Sequence, residues 1–392
     1  MNPFDLLSVP RVAFGPGRSA EIGRLAAEFG RRALIVTNAD RSDPEAPVRL
    51  ANLCAQEGLT CFTFSLRGEP TTTTADQAAA LARQNDCAVL IALGGGAALD
   101  AAKAAAALLT NGGEALDYLE VVGRGQKIVK PAAPWLALPT TAGTGAEATF
   151  NAVLSSPAHK RKASLRSLRL LPQAVILDPE LGRRVRREVA ARAGLDALTQ
   201  LIEGFVTLRA SPATDALARE GLSLAAHALK RMAAGDADDE SRSEMALAAF
   251  FSGVVLANAG LGAVHGFAAP LGARLDLPHG GVCAALLPHV LRANVEALRQ
   301  RTPTHPALRR LAEIGRLLTG NATLNENAAV EAAADVSERW ARDFGLPNLG
   351  ACGLTEADFP EIVADSRRSG SMRGNPVELT DEELKNILAA AI

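Results

Sequence analysis

The sequence predicts an α/β half followed by an all-helical half, together a two-domain chain. Three observations carry this. At 392 residues the chain is too long for one ordinary hydrophobic core. Up to about residue 182, short apolar runs alternate with helical patterns. From residue 183 onward it is rich in Ala, Leu, Arg and Glu, with helical periodicity and no β-rich run. The expected domains are therefore 1–182 and 183–392.

"RRALIVTN" reads as a strand ending near Asn38, and "PEAPVRLANLCAQEG" as a helix closed by Gly58. "TCFTFSL" is a second strand, "ADQAAALARQND" a helix, and "CAVLIAL" a short buried strand running into "GGG". This alternation implies a parallel sheet with helices on both faces. "PWLALPTT", "AVLSS" and "QAVILDP" supply further strands. In the helical half, Met245 to Ala273 contains no charged residue, a length that would permit a membrane span. Asn258, His265, five glycines and Pro270 within it, and the lack of a second such segment, favour a buried central helix.

Composition excludes several classes. Nearly half the residues (48%) are hydrophobic and 21% charged, as in a globular protein with a large core. The net charge of −2, without long blocks of one sign, offers no footprint for nucleic acid. Five scattered cysteines with no C-x-x-C pair argue against a disulfide framework and against a thiolate zinc site. The start "MNPFDLLSVPR" has Asp5 where a signal peptide would carry positive charge, so a cytoplasmic location is expected, with no membrane partner.

In "VLIALGGGAALDAAKAAAALL" three glycines sit between a buried strand and a strong helix. Glycines let a ligand approach the backbone, and free N–H groups at a helix start favour an anion. This is dinucleotide-binding logic without the G-x-G-x-x-G spacing; a plain tight turn is the other reading. "LPTTAGTGAEATFNAV" adds Thr140, Thr141, Thr144, Thr149 and Asn151, a loop suited to phosphate and sugar oxygens or to ordinary turn chemistry. Two such loops at the carboxyl ends of strands favour a ligand. Lys162, in "HKRKAS", is either a ribose or phosphate contact or part of a solvated turn. Asn38 stands where such folds often carry an acid for the adenosine ribose. An amide neither binds the diol as strongly nor repels a 2′-phosphate, and Asp40 offers a substitute carboxylate, so NAD and NADP both stay open.

"GLDALTQLIEG" sets Asp196 and Gln200 four apart, on one helix face. His265 and His279 follow in "HGFAAPLGARLDLPHGG". Asp and His are standard ligands for zinc or ferrous iron and leave room for a substrate oxygen; a polar pair and satisfied core histidines are the alternative. Glu203 reads as a structural carboxylate, His289 as a helix-start residue, and His159, His227 and His305 as exposed or amphipathic positions.

"GGGAALDAAKA", "LPTTAGTGAEAT", the K-x-K before "ILDPEL", "GLDALTQLIEGFV", "VHGFAAPLGARLDLPHGGVCAALLPHVLRAN" and "GNPVELTDEELKNIL" occur in that order. Over essentially its whole length the chain resembles the iron-containing (group III) alcohol dehydrogenase family. The resemblance implies an N-terminal Rossmann-like dinucleotide-binding domain and a C-terminal helical metal-binding domain, the architecture shared with dehydroquinate synthase, with the active site in the cleft between them. Gly95 and Gly96, with Ala97 where a serine is frequent, would hold the pyrophosphate; Asn38, Thr140, Thr141, Thr149, Asn151, Lys162 and Leu181 would line the rest of the cofactor site. The implied reaction is hydride transfer between NAD or NADP and a small alcohol or aldehyde, with one divalent metal, iron or zinc, in a homodimer or larger homo-oligomer.

The family's one Asp and three His land on Asp196, Gln200, His265 and His279, so a carboxamide stands where an imidazole is expected. That departure implies weaker metal binding, a different ion, or none. Ala269 also replaces a histidine that many members place near the nicotinamide. Three other readings stay open. One is a metal-independent reductase like the related maleylacetate reductases, with His265 and His279 as catalytic acid and anion anchor. The others are a lyase of the dehydroquinate-synthase type and a cofactor binder without chemistry.

Overall fold

The computed structural model describes residues 3–39, 42–159, 161–275 and 277–392. Asp40, offered above as a substitute carboxylate, lies outside the described residues. Two units are described, one spanning Ser8–Arg186 and one made of Arg187–Ile392 with the described residues before Ser8.

The first unit carries strands β1 (Val12–Phe14), β2 (Arg32–Thr37), β3 (Thr60–Ser65), β4 (Val89–Gly94), β5 (Trp135–Pro139), β6 (Asn151–Ser156), β7 (Arg161–Arg166) and β8 (Ala174–Leu177). Its helices are α1 (Ile22–Ala27), α2 (Ala46–Gln56), α3 (Thr72–Gln84), α4 (Gly96–Asn111) and the short α5 (Ala115–Tyr118). Six strands form one parallel sheet in the order β1-β8-β5-β4-β2-β3. Alternate residues of each strand point to opposite faces. Ala33, Ile35, Val89, Ile91, Leu136 and Ile176 pack in one cluster with Ile22 and Leu25 of α1 and Leu50 and Cys54 of α2. Leu34, Val36, Leu90 and Ala92, on the other face, are equally buried, and α3 and α4 pack against these strands. A strand covered on both faces must be apolar throughout, which is why "ALIV" and "VLIAL" read as unbroken runs.

Two strands had no signal in the sequence, and one that had a signal pairs with one of these outside the main sheet. β1 has only three residues, at the sheet edge. β6, the "AVLSS" strand, pairs antiparallel with β7 in a separate two-stranded sheet. β7 is "RKASLR", with two of its six residues buried, so it shows no apolar run.

The second unit is helical: α6 (Arg187–Val206), α7 (Pro212–Ala234), α8 (Asp239–Ala259), α9 (Ala263–Leu275), α10 (His279–Arg301), α11 (Pro306–Thr319), α12 (Glu326–Asp343), α13 (Phe359–Arg367) and α14 (Asp381–Ala390). Its helix ends carry local signals. Ser211 caps α7 through Thr214 N–H, with Pro212 in the first turn. Asp238 caps α8 through Ser241 N–H.

The uncharged stretch 245–273 is two helices, not one. Gly260 ends α8 at a positive φ of +69°, which glycine adopts readily, and α9 leaves at 102° to it. Among the described residues no single helix is long and apolar enough to cross a membrane, and this bent pair alone would pass by length and composition together. Leu7 joins this unit through Asn258, whose side chain accepts from Leu7 N–H at 2.7 Å and donates to Leu7 C=O at 2.9 Å.

Candidate functional site

In the α/β unit the glycine run ends β4 and opens α4, with Gly95 at the helix N-cap. Crowding favours glycine at these positions. A Cβ on Gly94 would lie 2.1 Å from Asn38 Oδ1, one on Gly95 3.0 Å from Thr141 Oγ1, and one on Gly96 2.8 Å from Thr144 Oγ1. The strand ends of β2, β4 and β5 thus bring Asn38, Gly95, Gly96 and Thr141 together. Asn38 Oδ1 accepts the Gly95 N–H at 3.0 Å, so its amide braces the turn from within. The first-turn N–H groups of Gly96 and Ala97 have no partner within the helix, as at any helix start. Thr140 and Leu181 line a cleft of about 270 Å³ together with Ser19, Asp43, Arg49 and Arg184.

Thr149, Asn151 and Lys162 are differently engaged. The fully buried Lys103 of α4 donates to Thr149 Oγ1 at 2.8 Å and to the Asn151 carbonyl at 2.7 Å, and lies 3.2 Å from Asp100 Oδ1. Lys162, on β7, faces Glu69 at 3.5 Å. Around Lys103 burial dominates: it lowers the Lys103 pKa, raises that of Asp100, and pushes Glu147 up to about 7.

The helical unit gathers its polar groups from three helices. Asp196, Gln200 and Glu203 follow at helical spacing along one face of α6. His265 sits in the first turn of α9, and His279 opens α10. Asp196 Oδ1 is 3.4 Å from His265 Nε2 and 3.6 Å from His279 Nε2, and the two rings lie 5.3 Å apart, centre to centre. Asp196, Gln200, Glu203 and His265 are buried, whereas the His279 side chain is 41% exposed.

Glu203 explains the aim of His265. Its carboxylate accepts the backbone N–H of Val264 at 2.7 Å and lies 2.6 Å from His265 Nδ1. With Nδ1–H committed to a carboxylate, the Nε2 lone pair faces Asp196, the arrangement in which metal-binding histidines are held. Gln200 is turned the other way. Its Oε1 accepts from Ser252 Oγ at 2.8 Å, and its Nε2 lies 3.2 Å from Asp196 Oδ2.

Cys283, one of the five scattered cysteines that argued against a thiolate zinc site, nevertheless completes the cluster. Cys283, one turn after His279 on α10 and fully buried, places Sγ 3.8 Å from the Nε2 atoms of both His265 and His279. One donor atom each from Asp196, His265, His279 and Cys283 lie within 4.8 Å of one another. The available signal was the spacing His279-x3-Cys283, the same one that singled out Asp196 and Gln200.

The electrostatics of this cluster are those of lone pairs short of a cation. Asp196 Oδ1 is buried with no hydrogen-bond partner. Burial opposes charge on His265, yet Cys283, Asp196 and Glu203 hold its pKa well above the usual value. Cys283 raises His279 to about 9 against the pull of burial, with Asp196 assisting. Burial pushes Asp196 up, and the neighbouring imidazoles outweigh it, leaving its carboxyl below the usual range. A divalent ion would satisfy all these groups at once, so the residues fit a metal.

Comparison with known proteins agrees across the chain. The family model described as iron-containing alcohol dehydrogenase matches residues 10–179, and that of the family's C-terminal domain matches 190–392. The chain is 31% identical to the NAD-dependent methanol dehydrogenase of Bacillus methanolicus over 98% of each. It is 36% identical to the lactaldehyde reductase of Escherichia coli over 67% of this chain and 66% of that one. The crystal structure of a 1,3-propanediol oxidoreductase superposes with a TM-score of 0.91 at 30% identity, over 100% of both chains. Two family models that between them span both halves, and a full-length relative, show that the chain belongs to the iron-containing alcohol dehydrogenase family.

Proposed function

We propose that this chain is a metal-dependent, NAD(P)-linked alcohol dehydrogenase that also runs in reverse as an aldehyde reductase on small substrates. The observation that carries the reading is the convergence of Asp196 Oδ1 and the two imidazole Nε2 atoms at 3.4 and 3.6 Å, with the carboxylate oxygen otherwise unpartnered. Relatives named for methanol, lactaldehyde and 1,3-propanediol support small alcohols and aldehydes, and the first of these supports NAD.

When bound, a divalent ion supplies Lewis acidity toward the substrate oxygen, and the nicotinamide cofactor gives or takes the hydride. The chain does the rest. Asp196, His265 and His279 hold the ion, and Glu203 fixes the His265 tautomer that keeps Nε2 free for it. Gly95, Gly96 and Ala97 present the start of α4 to the cofactor pyrophosphate, with Asn38, Thr140, Thr141 and Leu181 around it. Thr149 and Asn151 act through Lys103, fixing the flank of α4 with the two-stranded sheet that carries Lys162. Ala269, an exposed methyl four residues beyond His265, relays no proton, so protons leave through water or the cofactor ribose.

The test is elemental analysis of the purified protein with NAD(P)H-coupled turnover of short aldehydes before and after chelation. Near one equivalent of divalent metal, with activity lost to chelator and restored by metal, is expected. Turnover indifferent to chelation would instead assign the protein to the metal-independent reductases, with His265 and His279 as acid and anchor.

A further inference from the structure

We infer that the fourth protein ligand of this metal site is the thiolate of Cys283, not the carboxamide of Gln200, and that the site is thereby a zinc site. The inference rests on the metal-dependent reading above and adds to it a ligand and the identity of the ion.

Geometry comes first. A tetrahedral ion held at about 2.3 Å by sulfur and about 2.0–2.1 Å by nitrogen and oxygen sets its donors roughly 3.3–3.6 Å apart. The distances here are 3.4 and 3.6 Å from Asp196 Oδ1 to the two imidazoles, and 3.8 Å from Cys283 Sγ to each of the same nitrogens. Those four distances are close to that spacing, and the two remaining donor pairs lie within 4.8 Å. Cys283 is also fully buried among them, and the orphaned Asp196 Oδ1 belongs to the same cluster.

Gln200 has other work. An amide oxygen turned toward the Asp196 carboxylate would set two acceptors against each other, so hydrogen bonding places the NH₂ there and the oxygen on Ser252. In that pose Gln200 steadies Asp196 Oδ2, leaving Oδ1 for the ion. Coordination displaces the Cys283 proton to solvent with no change of oxidation state. A soft thiolate with two imidazoles and one carboxylate suits zinc, whereas a third imidazole or a carboxamide would not distinguish it as strongly from ferrous iron.

The experiment replaces the native ion of the purified full-length protein with cobalt(II) and records its absorption spectrum. The wild type is expected to show visible ligand-field bands together with an intense near-ultraviolet thiolate-to-cobalt charge-transfer band. Cys283→Ser should lose the near-ultraviolet band, keep the ligand-field bands, and hold zinc at least about tenfold more weakly against a chelator. Gln200→Ala should keep the charge-transfer band. Ligand-field bands without charge transfer in the wild type would overturn the thiolate assignment and leave the metal-dependent reading standing. So would a Gln200→Ala protein that loses cobalt while Cys283→Ser keeps the wild-type spectrum. A wild type that takes up no cobalt would overturn both. The wild-type spectrum decides the thiolate question alone, even if Cys283→Ser fails to fold.

Discussion

Position 200 shows how far single residues could be read. Asp196 was singled out by residue type and helical spacing, and His265 and His279 by residue type in apolar surroundings; the structure brings the three side chains together. Cys283 was not singled out, since cysteine arithmetic looks for pairs, and a lone thiol buried at 0% exposure resembles any small apolar core residue. Glu203 was read as structural, and its distance of 2.6 Å from His265 Nδ1 gives that role a content: it selects a tautomer. A second buried carboxylate makes a prediction of its own. Glu147 is raised by burial to about 7 in the folded protein, above its unfolded value near 4.5. Its neutral form therefore supports the fold below about pH 4.5, and that support is lost as pH rises through 7. Glu147→Gln should match the wild type in stability near pH 4.5 and exceed it at pH 8 by an amount on the order of 1–3 kcal/mol, read as a higher thermal midpoint. An equal or lower midpoint for the variant at pH 8 would show that Lys103 fully compensates the charge.

Among the elements, those with a strong local period were the readable ones. β2, β4, β5 and β8 are apolar runs between helical patterns, and their parallel order follows from the crossovers. β6 was visible as a strand, but nothing in an alternating pattern names its partner, and the charged β7 that pairs with it left no trace. The uncharged stretch 245–273 hid its break because glycine and asparagine interrupt hydropathy less than they interrupt geometry. Contact between elements is equally invisible from sequence. A Cβ on Gly280, at the start of α10, would fall 2.3 Å from the Arg192 carbonyl oxygen of α6. Gly280→Ala should push apart the two helices that carry Asp196 and His279. The expected cost is about 1–3 kcal/mol of stability with a faster loss of metal to chelators, followed by thermal melting and metal analysis. A variant that retains both properties would show that α10 can shift without disturbing the donors.

In the molecule as a whole, the residues proposed to face the nucleotide lie in Ser8–Arg186 and the proposed metal donors in Arg187–Ile392. The two residue sets share no member, and the groups proposed for the pyrophosphate are held by bonds inside their own unit. His265→Ala or His279→Ala should therefore abolish metal-dependent turnover while NADH binding, read by fluorescence titration, stays within about threefold of the wild type. Turnover unchanged by either substitution would remove these histidines from the reaction.

The tie between Leu7 and Asn258 bears on how the chain is assembled. The α/β unit is one uninterrupted stretch, so during synthesis from the amino end it can close as soon as Arg186 has emerged. The helical unit cannot, because the bond pair at its edge spans 251 positions and the older partner must wait for the younger. Long separations slow folding, and domains form in the order in which they emerge. Through that interval Leu7 stays without its eventual partner, and it is stitched in late, when α8 arrives.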